Sequence, residues 1–219
     1  MLQTYYVWEW PVRITHWITF ICVVVLGVTG LGIGTPFLEP AMTAPYSMGW
    51  MRFVHIVFGY LFTLSVLSRI IWMFIGNRHA SWKNFVAVFT RKGWQSGYKA
   101  FKYYSFLSPR TPYEIGHNGL AATAYAGVFM LLLVEIITGL ALYGQYAPGG
   151  AWHRLFSPLL ILVGNQYLRL IHHGILWLLV SFTIIHVYLS FMLECKMRNG
   201  LISSIFGGYK MIETDKLNR

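Results

Sequence analysis

The sequence predicts an all-α membrane protein, an antiparallel bundle of four transmembrane helices. Three observations carry this expectation. The chain is 56% hydrophobic and only 11% charged, where soluble domains average about 25% charged, and its mean hydropathy is +0.54. Four apolar runs, at about 14–34, 53–76, 119–143 and 170–193, each approach or exceed the roughly 20 residues that a helix needs to cross a bilayer. The basic residues are dense in alternate connections and sparse in the others, the bias that orients membrane helices.

A length of 219 residues suits one membrane domain, 1–219, rather than several. The net charge of +10 points first to nucleic acid, but the basic residues lie beside long apolar runs, where membrane orientation explains them better. Cys22 and Cys195 fall within the first run and just after the last, and they give no disulfide framework. No CxxCH occurs, which argues against a covalently attached c-type haem. The N-terminus does not read as a cleavable signal peptide, because the first apolar run is too long and no small-residue cleavage site follows it.

Residues 1–13 are short, aromatic and polar. The first span is broken only by His16, and Gly27, Gly30, Gly32 and Gly34 thin its far half, which lets a helix or a flat ligand approach closely. Residues 35–51 form a loop with Pro36, Pro40 and Pro45 and no Lys or Arg. The second span has His55 near its start and Arg69 well inside it. Residues 77–118 carry seven basic residues and many aromatics, including Trp82, Trp94, Tyr98 and Phe101, the composition of an amphipathic helix at the membrane surface. SPRTP at 108–112 ends that segment. The third span contains Glu135. The next connection, 144–169, holds an apolar run at 155–163 that is too short to cross. The fourth span contains His172, His173 and His186, and a polar tail, 194–219, follows.

The N-terminal segment, the 77–118 connection and the tail hold one, seven and five Lys or Arg. The other two connections with their edges hold Arg52, Arg154 and Arg169. Both termini are therefore expected on the cytoplasmic side. That topology sets depths. His55 and His172 lie near the outer face, His16 and His186 near the inner. His172 and His186 are fourteen residues apart, within about 40° of one helical face and roughly 21 Å apart along the axis.

A membrane helix holds an imidazole at depth only with a partner. A lone histidine there most often hydrogen-bonds a neighbouring helix, but four matched in depth point to metal. Two imidazoles on opposing helices, with no cysteine or carboxylate at their depth, suit six-coordinate haem iron and not structural zinc, which takes four ligands. The expected cofactors are two b haems, ligated by His55 with His172 and by His16 with His186. His173 is about 100° around the helix from His172 and is expected to hydrogen-bond near the outer haem rather than ligate it. His79, His117 and His153 lie in or beside loops and are poor ligand candidates. Arg69 shares the face of His55 one haem further in. It either pairs with a haem propionate or snorkels to the inner interface. Arg13, one turn before His16, either serves the inner haem or only sets topology. Glu135 is protonated and hydrogen-bonded, or lies on a proton route, or pairs with an outer arginine, and the residues alone do not select among these.

The segments PVRITHW at 11–17, RFVHIVFGY at 52–60, IGHNGLA at 115–121 and HHGILWLLVSFTIIHVY at 172–188 together resemble the b-type cytochrome subunit of membrane-bound nickel–iron hydrogenases. The resemblance covers most of the chain and all four spans. The fourteen-residue histidine spacing is shared with the cytochrome subunits of formate dehydrogenases and with small b561-type cytochromes. The resemblance implies the same four ligands, His16, His55, His172 and His186. It implies an anchor for the hydrogenase small (iron–sulfur) and large (nickel–iron) subunits on the outer face of a bacterial or archaeal inner membrane. Electrons from hydrogen would pass through the outer and inner haems to a quinone. By analogy with the formate dehydrogenase subunits the quinone site lies near the inner haem, where His117 and Asn118 are candidates, against a plain helix-start role for both. The chain would not itself split hydrogen, having no cysteine ligands for nickel and iron. The alternatives are a cytochrome b subunit of formate dehydrogenase or of another periplasmic oxidoreductase, a stand-alone b561-type quinone oxidoreductase, and a haem-free anchor.

Overall fold

The computed structural model describes residues 2–34, 46–84, 90–109 and 119–213, with 2, 212 and 213 as backbone only. In chain order the elements are β1 (Leu2–Tyr6), α1 (Trp10–Gly34), α2 (Ser47–Ile75), α3 (Arg91–Tyr104), α4 (Gly119–Gly144), α5 (Ala151–Val163), α6 (Asn165–Met197), α7 (Leu201–Gly207) and β2 (Tyr209–Glu213). Helices α1, α2, α4 and α6 are long and apolar enough to cross a membrane. The helices α2 and α6 begin earlier than the apolar runs at 53 and 170. Arg52 and Arg169 are helical residues, and Arg169 Nε donates to Asn165 Oδ1 one turn earlier at 2.8 Å. Side chains such as Val28, Leu64 and Phe74 are 66%, 62% and 71% exposed, an outward apolar surface that lipid, not water, accommodates.

The described residues group into two compact units. One comprises residues 16–67 and 130–183. Its α1–α2 contacts run antiparallel, with Thr19 bonded to Ser65 at 3.0 Å and Thr29 to His55 at 2.8 Å. Gly27 lets α6 come close, since a Cβ there would lie 3.3 Å from Leu176. The short α5 is held by Trp152, whose Nε1 donates to the Tyr60 hydroxyl at 2.8 Å. Gly164, with φ of 78°, makes the sharp turn from α5 into α6.

The other unit comprises residues 1–15, 68–129 and 184–219, in so far as these are described. Here the chain ends pair as a two-stranded antiparallel sheet, Tyr6 opposite Tyr209, an element the residues 1–13 did not announce. Glu9 ties the N-terminal segment to the end of α2 by accepting from Trp72 Nε1 at 2.9 Å and from the Asn77 amide at 2.8 Å. Helix α3 is capped by the Thr90 hydroxyl. Its Trp94, Tyr98 and Phe101 stay exposed, and Ala100 and Tyr103 are buried. Gly93 and Gly97 meet Gly119 at the start of α4 so closely that a side chain on Gly119 would overlap the Gly93 carbonyl.

His79 sits in this unit with Nε2 accepting from Arg78 Nε at 3.2 Å. Burial first, then the charges of Arg78 and Lys210, hold its pKa below the ordinary 6.5. As pH falls the unfolded chain takes up the proton first, so stability present above about pH 6.5 is lost as pH drops toward the folded-state pKa. In thermal unfolding followed from about pH 7 to pH 5, His79→Gln should give a flatter acid arm than the parent.

Candidate functional site

His55, near the start of α2, and His172, near the start of α6, face each other with ring centres 6.4 Å apart and planes at 72°. A metal–imidazole bond is about 2.0–2.1 Å, so two rings flanking one ion stand roughly 6 Å apart, centre to centre. Both line a cavity of about 210 Å³, where a single water needs only about 10–15 Å³.

The rings are aimed by the helices beside them. Thr29 Oγ1 lies 2.8 Å from His55 Nδ1, and Thr138 Oγ1 lies 3.0 Å from His172 Nδ1. Each threonine hydroxyl donates back into its own helix, to Val25 O at 2.7 Å and Val134 O at 2.8 Å. With that proton placed, the hydroxyl oxygen accepts, so each Nδ1 carries the hydrogen and each Nε2 keeps its lone pair for a metal. Gly30 and Gly139 make room for the rings. A Cβ on Gly30 would lie 3.3 Å from His55 Cε1, and one on Gly139 3.2 Å from His172 Cε1.

Arg52 and Arg169, one turn before each histidine, also line the cavity. They are the cationic groups nearest in sequence to the ligands and suit carboxylates of a bound group. Glu135 Oε1 is 3.3 Å from His172 Nδ1, so a carboxyl group does lie at the depth of this pair, contrary to the expectation from sequence, and its Oε2 is buried with no hydrogen-bond partner among the described residues. The donor set, two neutral imidazoles presenting Nε2 across a cavity with two arginines in its lining, fits a haem.

His173 lines the same cavity but is held differently from His172. Its Nδ1 pairs with the Arg169 carbonyl at 2.9 Å, and its ring packs against Gly34. Arg69 donates through both terminal nitrogens to the Ala80 carbonyl at 3.2 Å and lies over the Tyr125 ring. Arg13 is 8% exposed, donates to the Phe206 carbonyl and lies over Trp10. His153 Nδ1 accepts from the Gly149 amide at 3.4 Å. His16 stands edge-on to Trp17 at 5.2 Å. It belongs to the unit of His55 and His172, and His186 to the other. His117 and Asn118 lie outside the described residues. Sequence reasoning missed Thr29, Thr138, Arg52 and Arg169. The signal was present as two Thr-Gly pairs in apolar spans and as R-x-x-H at Arg52 and Arg169, a spacing that Arg13 and His16 also show.

Four membrane-length helices and a pair of opposed, tautomer-fixed histidines over a ligand-sized cavity define a multi-pass membrane protein of b-type cytochrome design. Residues 7–208 match the family described as prokaryotic cytochrome b561, and the chain belongs to that family. Among its relatives, a protein of Cupriavidus necator is 38% identical over 95% of this chain and 88% of its own length. A second, of Escherichia coli K12, is 34% identical over 98% and 94%, and a third, of Rhodobacter capsulatus, 33% over 97% and 83%. The first and third are named as a probable Ni/Fe-hydrogenase B-type cytochrome subunit, the second as that of Ni/Fe-hydrogenase 1.

His55→Ala and His172→Ala should each remove the same haem from the purified chain, read by reduced-minus-oxidised spectra and haem quantification. His173→Ala should keep it.

Proposed function

We propose that residues 1–219 form one di-haem membrane domain that anchors an outer-face nickel–iron hydrogenase and passes its electrons to the membrane quinone pool. The observation that carries this reading is the opposed His55–His172 pair with both Nδ1 positions engaged. The names of the full-length relatives support the choice of partner. When bound, haem b supplies reversible one-electron chemistry at its iron.

His55 and His172 then hold the outer haem and His16 and His186 the inner one, the second pairing resting on the depths expected from the sequence. Arg52 and Arg169, which line the cavity, are our candidates for the outer propionates, and Arg69 is kept as a candidate for the inner haem. His117 and Asn118 are proposed to bind the quinone beside that inner haem. The basic 77–118 connection and the tail put both termini in the cytoplasm of a bacterial or archaeal cell. Helix α5 leaves Leu155, Ile161 and Leu162 at 63%, 85% and 84% exposure, and we assign this apolar surface to contact with the hydrogenase subunits. The chain holds electrons in transit and leaves hydrogen cleavage to its partner.

The test uses the membrane complex. Hydrogen should reduce the haems only when the hydrogenase subunits are bound, and added quinone should reoxidise them. His186→Ala should keep hydrogen-dependent reduction of the outer haem and lose most quinone reduction. Co-purification with a different oxidoreductase, or haem turnover with no partner, would replace the hydrogenase reading.

A further inference from the structure

The surroundings of His55 and His172 are two copies of one arrangement. Leu26-Gly27-Val28-Thr29-Gly30 on α1 corresponds to Glu135-Ile136-Ile137-Thr138-Gly139 on α4. Arg52-x-x-His55 on α2 corresponds to Arg169-x-x-His172 on α6. In each copy the threonine holds Nδ1 of the histidine, the next residue is the glycine behind the ring, and the arginine lies one turn away in the cavity lining. All of these residues fall in one compact unit. The largest chemical difference between the copies lies three residues before the threonine, where one has Leu26 and the other Glu135. Both face the cavity.

We propose that this duplicated Thr-Gly clamp sets the two ligand rings and that Glu135, standing where its counterpart is Leu26, makes the ligands unequal and tunes the potential of the haem they hold. This rests on the bis-histidine reading of the site. Glu135 Oε1 lies 3.3 Å from His172 Nδ1, which already faces Thr138 Oγ1 at 3.0 Å. His55 Nδ1 faces Thr29 Oγ1 at 2.8 Å, with a hydrocarbon side chain in the place of the carboxyl. A carboxyl oxygen beside an imidazole N–H draws the proton toward itself and makes the far nitrogen a stronger donor. A stronger donor stabilises the oxidised iron and lowers the potential. The second carboxyl oxygen is buried with no hydrogen-bond partner among the described residues. Glu135 is a positioning and tuning residue here, acting through His172.

The experiment is a potentiometric titration of the full-length, haem-loaded chain, followed optically and by EPR. Glu135→Gln should raise the midpoint of one haem and leave any other unmoved. The expected size is about a tenfold change in the reduced-to-oxidised ratio at fixed potential, or ~59 mV for one electron. Glu135→Leu, which copies the Leu26 side, should move it at least as far. Thr138→Val and Thr29→Val should change the low-spin EPR signal, which reports the angle between the ligand planes, and Thr→Ser at either position should restore it. Unchanged potentials in both Glu135 variants would overturn the proposal and leave the bis-histidine site standing. Loss of haem from both, with Thr→Val neutral in EPR, would make Glu135 merely structural and overturn it equally. Retention of every haem in His55→Ala and His172→Ala would instead sink the bis-histidine reading itself.

Discussion

The threonine–imidazole hydrogen bond is the interaction on which the site depends. In an apolar span an unpartnered imidazole is costly, and a ring that is free to rotate is a poor ligand. Thr29 and Thr138 answer both needs at once. Each directs its own hydroxyl proton to a carbonyl of its helix, which leaves an acceptor facing the neighbouring helix. The histidine then has one possible proton position and one free nitrogen. A serine or a water would accept as well, but a β-branched side chain in a helix has few rotamers and points its hydroxyl reproducibly.

Glycine completes this arrangement. The rings of His55 and His172 stand against Gly30 and Gly139, where an added Cβ would lie 3.3 and 3.2 Å from them and the ring would have to give. The same economy appears at Gly34, whose missing side chain makes room for the ring of His173. Close approach in a membrane is driven by packing and hydrogen bonds and not by a hydrophobic term between helices, so small residues decide where helices meet. The unit holding β1, β2 and α3 follows another logic. Its polar ties, such as Glu9 with Trp72 and Asn77, join the N-terminal segment to the end of α2, which no apolar period links.

The side chains of His55 and His172 are held so that they bind and orient a group in the cavity they line. What the surroundings can adjust is the basicity of each ligand, and here the two sides of the pocket are unequal, a carboxyl beside one ring and a hydrocarbon beside the other. Arg52 and Arg169 add positive charge in the cavity lining, where a bound group with acidic arms would balance it.

The sequence by itself determined the four spans, because length and hydropathy are summed along the chain and need no partner. It also singled out His55 and His172 as a pair, since alternating spans convert position in the chain into depth. It could not show that Thr29 and Thr138 finish the site. A threonine in an apolar helix looks the same whether it bonds only its own backbone or a ring across the interface, and the difference is a matter of helix rotation. Helix boundaries near Arg52 and Arg169, the pairing of β1 with β2, and the place of Glu135 beside His172 were likewise decided by tertiary structure. Each depends on which side chains from distant segments arrive at the same point, and periodicity within one segment carries no record of that.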